Sequence, residues 1–228
     1  MNNDPIELKF AATPEKGEVS ALLMRREGAT HLLVLGHGAS SNMRTPLLTT
    51  LTEHLAEQGI ATFRYNFPYS EKGGGRNGKD VCVATIRSAV AAALEAAPDL
   101  PLLAGGHSFS GRMTSTAASE MPLKGVRGLV FFSFPLHPAG EPGITRAEHL
   151  SEVNMPMLFL SGTRDALADL DLLEPVVKNL GDKATLHLLD TADHSFKILK
   201  RTRNTSEDVF DKMARVMREW ASGIVSGI

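Results

Sequence analysis

The pattern that most constrains this chain is a repeated alternation of short apolar runs with stretches of helical periodicity. Apolar runs at 31–35, 60–65, 102–105, 128–132, 156–160 and 185–189 are separated, for the most part, by helical patterns at 46–58, 81–97, 111–120 and 170–180, and a last helix is expected over 207–221. Runs such as Leu32-Leu33-Val34-Leu35 and Gly128-Leu129-Val130-Phe131-Phe132 are apolar at successive positions rather than at every second one. A strand without a polar face is covered on both sides, as happens when crossover helices sandwich a parallel sheet. The alternation therefore predicts an α/β fold with a mostly parallel, doubly wound sheet, since parallel crossovers are right-handed. Two weaker alternating segments, 6–10 and 19–25, flank the Lys16-Gly17 turn and predict an antiparallel hairpin, giving about 7–8 strands in all. The 228 residues show no linker, and a chain of this size buries a sufficient core without disulfide or metal staples, so a single domain over 1–228 is expected.

In open parallel sheets ligands bind beyond the carboxyl ends of the strands, so the loops that follow strands carry the functional reading. The loop after 102–105 reads Gly106-His107-Ser108-Phe109-Ser110-Gly111 and leads into a helical pattern. A strand, a sharp turn and a helix present the Ser108 hydroxyl at the top of the sheet, with the first amides of the helix aimed at the same place. The motif departs from Gly-x-Ser-x-Gly because Ser110 occupies the second glycine position, and by itself it is equally compatible with an ordinary helix N-cap.

The later strand ends add what a serine nucleophile requires. A hydroxyl needs a general base, and the base needs an orienting acid. Asp165 falls in the loop after 156–160, and His194 in the loop after 185–189. The chain order serine, acid, histidine matches that of one large class of hydrolases. Asp193 is the nearest competitor as the acid, whereas Asp169 and Asp171 suit a helix start. The first long strand ends in Gly36-His37-Gly38-Ala39, from which the Ala39 amide, together with that of Phe109, is expected to form an oxyanion hole. His37 is expected to bond backbone. Met43, Phe67, Tyr69, Phe109 and Leu136 are candidates to line an acyl pocket, although each suits a core position equally well. Arg44, Lys72, Arg76 and Lys79 would favour an anionic substrate or serve only as solvated surface charge.

The net charge of −2 argues against a nucleic-acid footprint. No run approaches the roughly 18 apolar residues of a membrane span, and the start lacks the basic and apolar segments of a signal peptide. The single cysteine, Cys82, forms no internal disulfide and suits a reducing, cytoplasmic setting. Residues 73–80 nearly spell a phosphate loop, but Asp80 stands where a magnesium-binding Ser or Thr belongs. The histidines show no metal-ligand spacing, so no cofactor or metal is expected.

Several stretches resemble a known family: Gly36-His37-Gly38-Ala39, the run Phe63-Arg64-Tyr65-Asn66-Phe67-Pro68-Tyr69, residues 105–112, Phe134-Pro135-Leu136-His137-Pro138, Arg146-Ala147-Glu148-His149-Leu150, Gly162-Thr163-Arg164-Asp165 and Asp193-His194-Ser195-Phe196. Over roughly residues 30–200 the chain resembles the small α/β hydrolases related to dienelactone hydrolase. It is closer still to hydrolases inferred from sequence and grouped with the third regulatory subunit of the non-specific-lethal histone acetyltransferase complex. The resemblance implies an α/β-hydrolase fold. Residues 66–79 and 133–155 read as loops after strands, the second too short for a large lid, and the chain is expected to act as monomer or homodimer on a small ester or thioester. His107 stands where close relatives carry Lys, and Ser108 where dienelactone hydrolases carry a cysteine, which argues against dienelactone as substrate. The alternative reading is a non-catalytic binding or scaffold member of the same fold.

Overall fold

A computed structural model describes residues 4–199 and 206–225. The hairpin is β1 (Ile6–Thr13) and β2 (Gly17–Met24), paired antiparallel. The alternation follows as β3 (His31–Gly36), α1 (Pro46–Glu57), β4 (Ile60–Tyr65), α2 (Pro68–Lys72), α3 (Lys79–Ala96), β5 (Leu102–His107), α4 (Phe109–Glu120) and β6 (Val126–Phe132). A 3₁₀ helix (Thr145–Glu152), β7 (Met157–Gly162), α5 (Leu170–Asn179), β8 (Ala184–Leu189) and α6 (Val209–Val225) complete it. The eight strands form one sheet in the order β1-β2-β4-β3-β5-β6-β7-β8. β2 meets β4 antiparallel, and every neighbouring pair from β4 through β3 to β8 is parallel.

The fully apolar strands are buried on both faces, as their composition requires. β3, β4 and β7 are buried at every position. One face of the sheet packs beneath α3, α4 and α5, with Val34, Phe63, Phe131 and Phe159 in its core. The opposite face packs beneath α1 and α6, where Leu33, Leu35, Val130 and Leu160 meet Leu51, Leu55, Met213 and Met217. The strand order reverses at β3, so the chain winds both ways from the sheet centre and leaves the β3 and β5 ends side by side. This is the topological switch point at which such sheets place their sites.

Two short elements fall between the apolar runs and helical patterns of the sequence. Residues 66–79 contain α2, started by Pro68 at its first turn, and residues 133–155 contain the 3₁₀ helix. Neither amounts to a lid domain. The last helix is displaced toward the C-terminus relative to 207–221, and residues 200–205 of the loop before it lie outside the described residues. No helix among the described residues is long and apolar enough to cross a membrane.

Candidate active site

The turn after β5 holds Ser108 at φ 53°, ψ −111°, a left-handed conformation that costs a non-glycine residue energy and persists only where the surroundings enforce it. Its amide donates to the Phe132 carbonyl (2.9 Å) and its carbonyl accepts from the Arg112 amide (3.2 Å), so the residue is clamped between β6 and α4. The clamp needs missing side chains nearby. A Cβ on Gly105 would lie 1.8 Å from the Val130 carbonyl oxygen, and one on Gly106 2.7 Å from that of Gly36. Ser110, wholly buried, fills the second glycine position of the motif. It fits because Gly36 and Gly106 have no Cβ: added there, a Cβ would stand 2.5 Å and 2.9 Å from that of Ser110. The Ser110 hydroxyl donates to the His107 carbonyl at 3.1 Å.

Asp165 and His194 come from the ends of β7 and β8, and these two loops are laced together. Thr163 accepts from the Thr191 amide (2.8 Å), the Arg164 amide donates to the Ala192 carbonyl (2.9 Å), and Gly162 passes so close that a Cβ would reach 2.3 Å from that carbonyl. The outcome is a continuous chain of hydrogen bonds. Asp165, its side chain fully enclosed, faces His194 Nδ1 with both carboxylate oxygens at 2.8 Å. A carboxylate accepts only, so Nδ1 carries the hydrogen and Nε2 presents its lone pair. The Ser108 hydroxyl donates to that Nε2 at 2.8 Å. Asp165 Oδ1 also accepts from the Leu167 amide at 2.9 Å. The rival acid Asp193 is turned away and caps its own loop, accepting from the Ser195 and Lys197 amides.

The loop after β3 is fastened from beneath. His37 is buried; its Nδ1–H donates to the Gly38 carbonyl (2.8 Å) and its Nε2 accepts from the Phe67 amide (3.2 Å). Burial holds it neutral, with its pKa lowered to about 4. Arg64 donates to the Met43 carbonyl and Asn66 accepts from the Met43 amide. Ala39 thereby lines a cleft of about 330 Å³ together with Ser108, His194, His107 and Leu47. Neither the Ala39 nor the Phe109 amide has a hydrogen-bond partner among the described residues.

His107 plays a part that its position beside Ser108 signalled only as a departure from the family pattern. Its Nε2–H donates to the His194 carbonyl at 3.0 Å, tying the histidine loop to the serine turn, while Nδ1 faces the Gly38 backbone. Desolvation is the main cause that brings its pKa down to about 4, so the ring is a neutral donor. The expected acyl-pocket lining is narrower than its sequence candidates. Tyr69 lines a second cleft, contiguous through Ala39, with Arg76 at its rim. Met43, Phe67 and Leu136 are sealed in the interior and present essentially no surface, because apolar side chains following strands close the core before they line a groove. Phe109 is 6% exposed and packs edge-on against Phe67.

Of the loop cations, Arg44 pairs with Glu7 at 2.7 Å, Lys79 with Glu120 at 2.8 Å, and Lys72 donates to the Lys16 carbonyl. Lys79 is thus turned away from any phosphate-loop geometry. The one grouping with metal-ligand spacing among the described residues is His54, Asp208 and Asp211, in which His54 Nδ1 already meets Asp211 at 2.6 Å.

Residues 29–222 match the alpha/beta hydrolase domain family Abhydrolase_11. Solved structures share the architecture at low identity. The dienelactone hydrolase of Anabaena variabilis is 20% identical, with 96% of this chain and 98% of that chain covered at a TM-score of 0.71. A serine hydrolase without lid from Xanthomonas campestris is 17% identical, covering 99% and 95% at 0.68. The ferulic acid-bound esterase Est1E of Butyrivibrio proteoclasticus is 14% identical, covering 92% and 96% at 0.66.

Proposed function

The chain belongs to the alpha/beta hydrolase domain family, and from that premise we propose that it is a lidless serine hydrolase cleaving a small carboxylic ester or thioester, its whole length of 228 residues acting as one hydrolase domain. The observation that carries this reading is the hydrogen-bonded sequence Ser108, His194, Asp165, on the loops after β5, β8 and β7 respectively. A binding module has no use for an enclosed carboxylate fixing the tautomer of a histidine that faces a strained serine.

The steps follow from the donors and acceptors present. His194 Nε2 takes the proton of Ser108 as Oγ attacks the carbonyl carbon, forming a tetrahedral oxyanion. The Phe109 and Ala39 amides receive that charge, and losing one such donor typically lowers the rate by about 10²–10³. Asp165 stabilises the imidazolium in place without taking its proton. His194 then protonates the leaving alcohol or thiol, and the ester bond breaks to give an acyl-enzyme. Water, deprotonated by His194, attacks the acyl carbon and releases the acid and free Ser108.

A fluorophosphonate probe tests the reading directly. The wild type is expected to label and Ser108→Ala not to, and on p-nitrophenyl esters of rising chain length His194→Ala is expected to lose at least about 10³-fold in kcat. A folded wild type that neither labels nor hydrolyses any ester would make this a non-catalytic member of the fold. Activity surviving His194→Ala would overturn the mechanism.

A further inference from the structure

Three arginines on elements around the serine turn make no ion pair among the described residues. Arg76 holds its guanidinium 5.0 Å over the ring of Phe109, the residue following Ser108, and lines the cleft that includes Ala39. Arg112 lies on α4 one turn beyond Phe109. Arg146 belongs to the 3₁₀ helix packed against α4. Helical spacing aligns the last two. Arg112 and Ser115 share a face of α4, three residues apart. Arg146 and His149 share a face of the 3₁₀ helix, where residues three apart eclipse. Ser115 and His149 touch, Oγ to Nε2 at 2.7 Å, and both helices run away from the carboxyl end of the sheet, α4 starting directly after β5 and the 3₁₀ helix ending beside Lys183 at the start of β8, so the turns that carry Arg112 and Arg146 both lie toward the Ser108 end. Their charges sense one another: burial and then the positive charges of Arg146 and Arg76 lower the pKa of Arg112, and burial and then Arg112 lower that of His149. None of the three reaches a carboxylate within ion-pair distance among the described residues.

Guanidinium groups gathered without acids repel one another, and the arrangement is relieved when an anion enters between them. We propose that Arg76, Arg112 and Arg146 form a subsite for an anionic group, a carboxylate or a phosphate, on the substrate, so that the ester presented to Ser108 carries a negatively charged arm. This rests on the reading of Ser108 as nucleophile, and the two are tested separately.

The first measurement is the ratio of kcat/KM for mono-p-nitrophenyl glutarate to that for p-nitrophenyl butyrate. The wild type is expected to favour the glutarate at least tenfold, and Arg112→Gln and Arg146→Gln each to lower the ratio about tenfold, as loss of a charge-assisted contact does. Arg112→Lys, which keeps the charge and loses the fork, falls between them. Lys178→Gln, an equal change in net charge on α5, leaves the ratio as it was. A wild-type ratio near one, or a ratio indifferent to the arginine substitutions, overturns the subsite. Competition separates the chemistries: inhibition by glutarate identifies a carboxylate and inhibition by inorganic phosphate a phosphate, whereas inhibition by neither overturns the proposal. The second measurement is calorimetric binding of monomethyl glutarate to Ser108→Ala, expected to be lost in Ser108→Ala/Arg112→Gln. If neither ester is hydrolysed but this binding and its loss are seen, the nucleophile reading falls and the anion subsite stands. Absence of binding to Ser108→Ala overturns the subsite.

Discussion

At the scale of single residues, the strain at Ser108 is held by what its neighbours lack. Its left-handed backbone exists because Gly105 and Gly106 let β6 and β3 approach, and because α4 begins on the very next residue. Ser110 shows how the site tolerates a departure from its motif. A serine Cβ in the usual glycine position is accommodated by the bare Cα of Gly36, so the two positions act as a pair. Gly36→Ala is therefore expected to cost about 1–3 kcal/mol through overpacking against Ser110 and the Tyr65 hydroxyl. Ser110→Gly alone is expected to cost about 1 kcal/mol, chiefly the lost bond to the His107 carbonyl. In the double variant the Gly36→Ala penalty shrinks, with a coupling of about 0.5–2 kcal/mol read from urea denaturation. Simple addition of the two costs would show that Ser110 does not occupy the space that Gly36 leaves.

At the scale of elements, the centre of the sheet and its longer helices were legible because the central strands are largely apolar and those helices keep their period. Ile60–Tyr65 coincides with its apolar run to the residue. The site was legible only in part. Ser108, Asp165 and His194 could be placed at strand ends, since strand ends follow from the runs before them. The lacing of the β7 and β8 loops, the tie from His107 to the His194 carbonyl and the alignment of Arg112 with Arg146 depend on contacts between residues distant in sequence. Pattern within a segment carries no record of them. The pocket candidates failed to separate for the same reason: Tyr69 and Phe67 are two residues apart with parallel stacked rings, yet one borders a cleft and the other is sealed. The His194 loop also depends on α6. Ala192 and Phe196 share the apolar cluster of Met213 and Met217, and Phe196 meets Phe210 edge-on. Met213→Ala, at a wholly buried position, is expected to lose about 2–4 kcal/mol of stability by urea denaturation. Because the cavity opens beneath the His194 loop, kcat on a p-nitrophenyl ester is expected to fall more than KM rises; an unchanged kcat would show that α6 does not steady the loop.

At the scale of the whole molecule, the same burial that positions the histidines makes the fold sensitive to acid. His31, His37, His107, His149 and His187 all have pKa values lowered by desolvation, the first-ranked cause at each. A histidine with its folded pKa below the unfolded value of about 6.5 binds its proton more readily in the unfolded chain. Unfolding then takes up protons, and stability falls as the pH drops below about 6.5, levelling once it passes beneath the folded value. For His37 and His107 that window extends down to about 4. At the wholly buried His37 the loss by pH 4 is about 3 kcal/mol, a large share of a typical domain's 5–15 kcal/mol. The unfolding free energy is accordingly expected to decline steadily between pH 6.5 and 4. His37→Gln is expected to be less stable at pH 7, because the bond to Gly38 or that from Phe67 is weakened, but to show a shallower decline. Urea denaturation at half-unit steps of pH measures both slopes. Parallel curves for the two proteins would mean that His37 is not the neutral, proton-excluding staple beneath the Ala39 loop, and with it would go the account of what holds that loop in place.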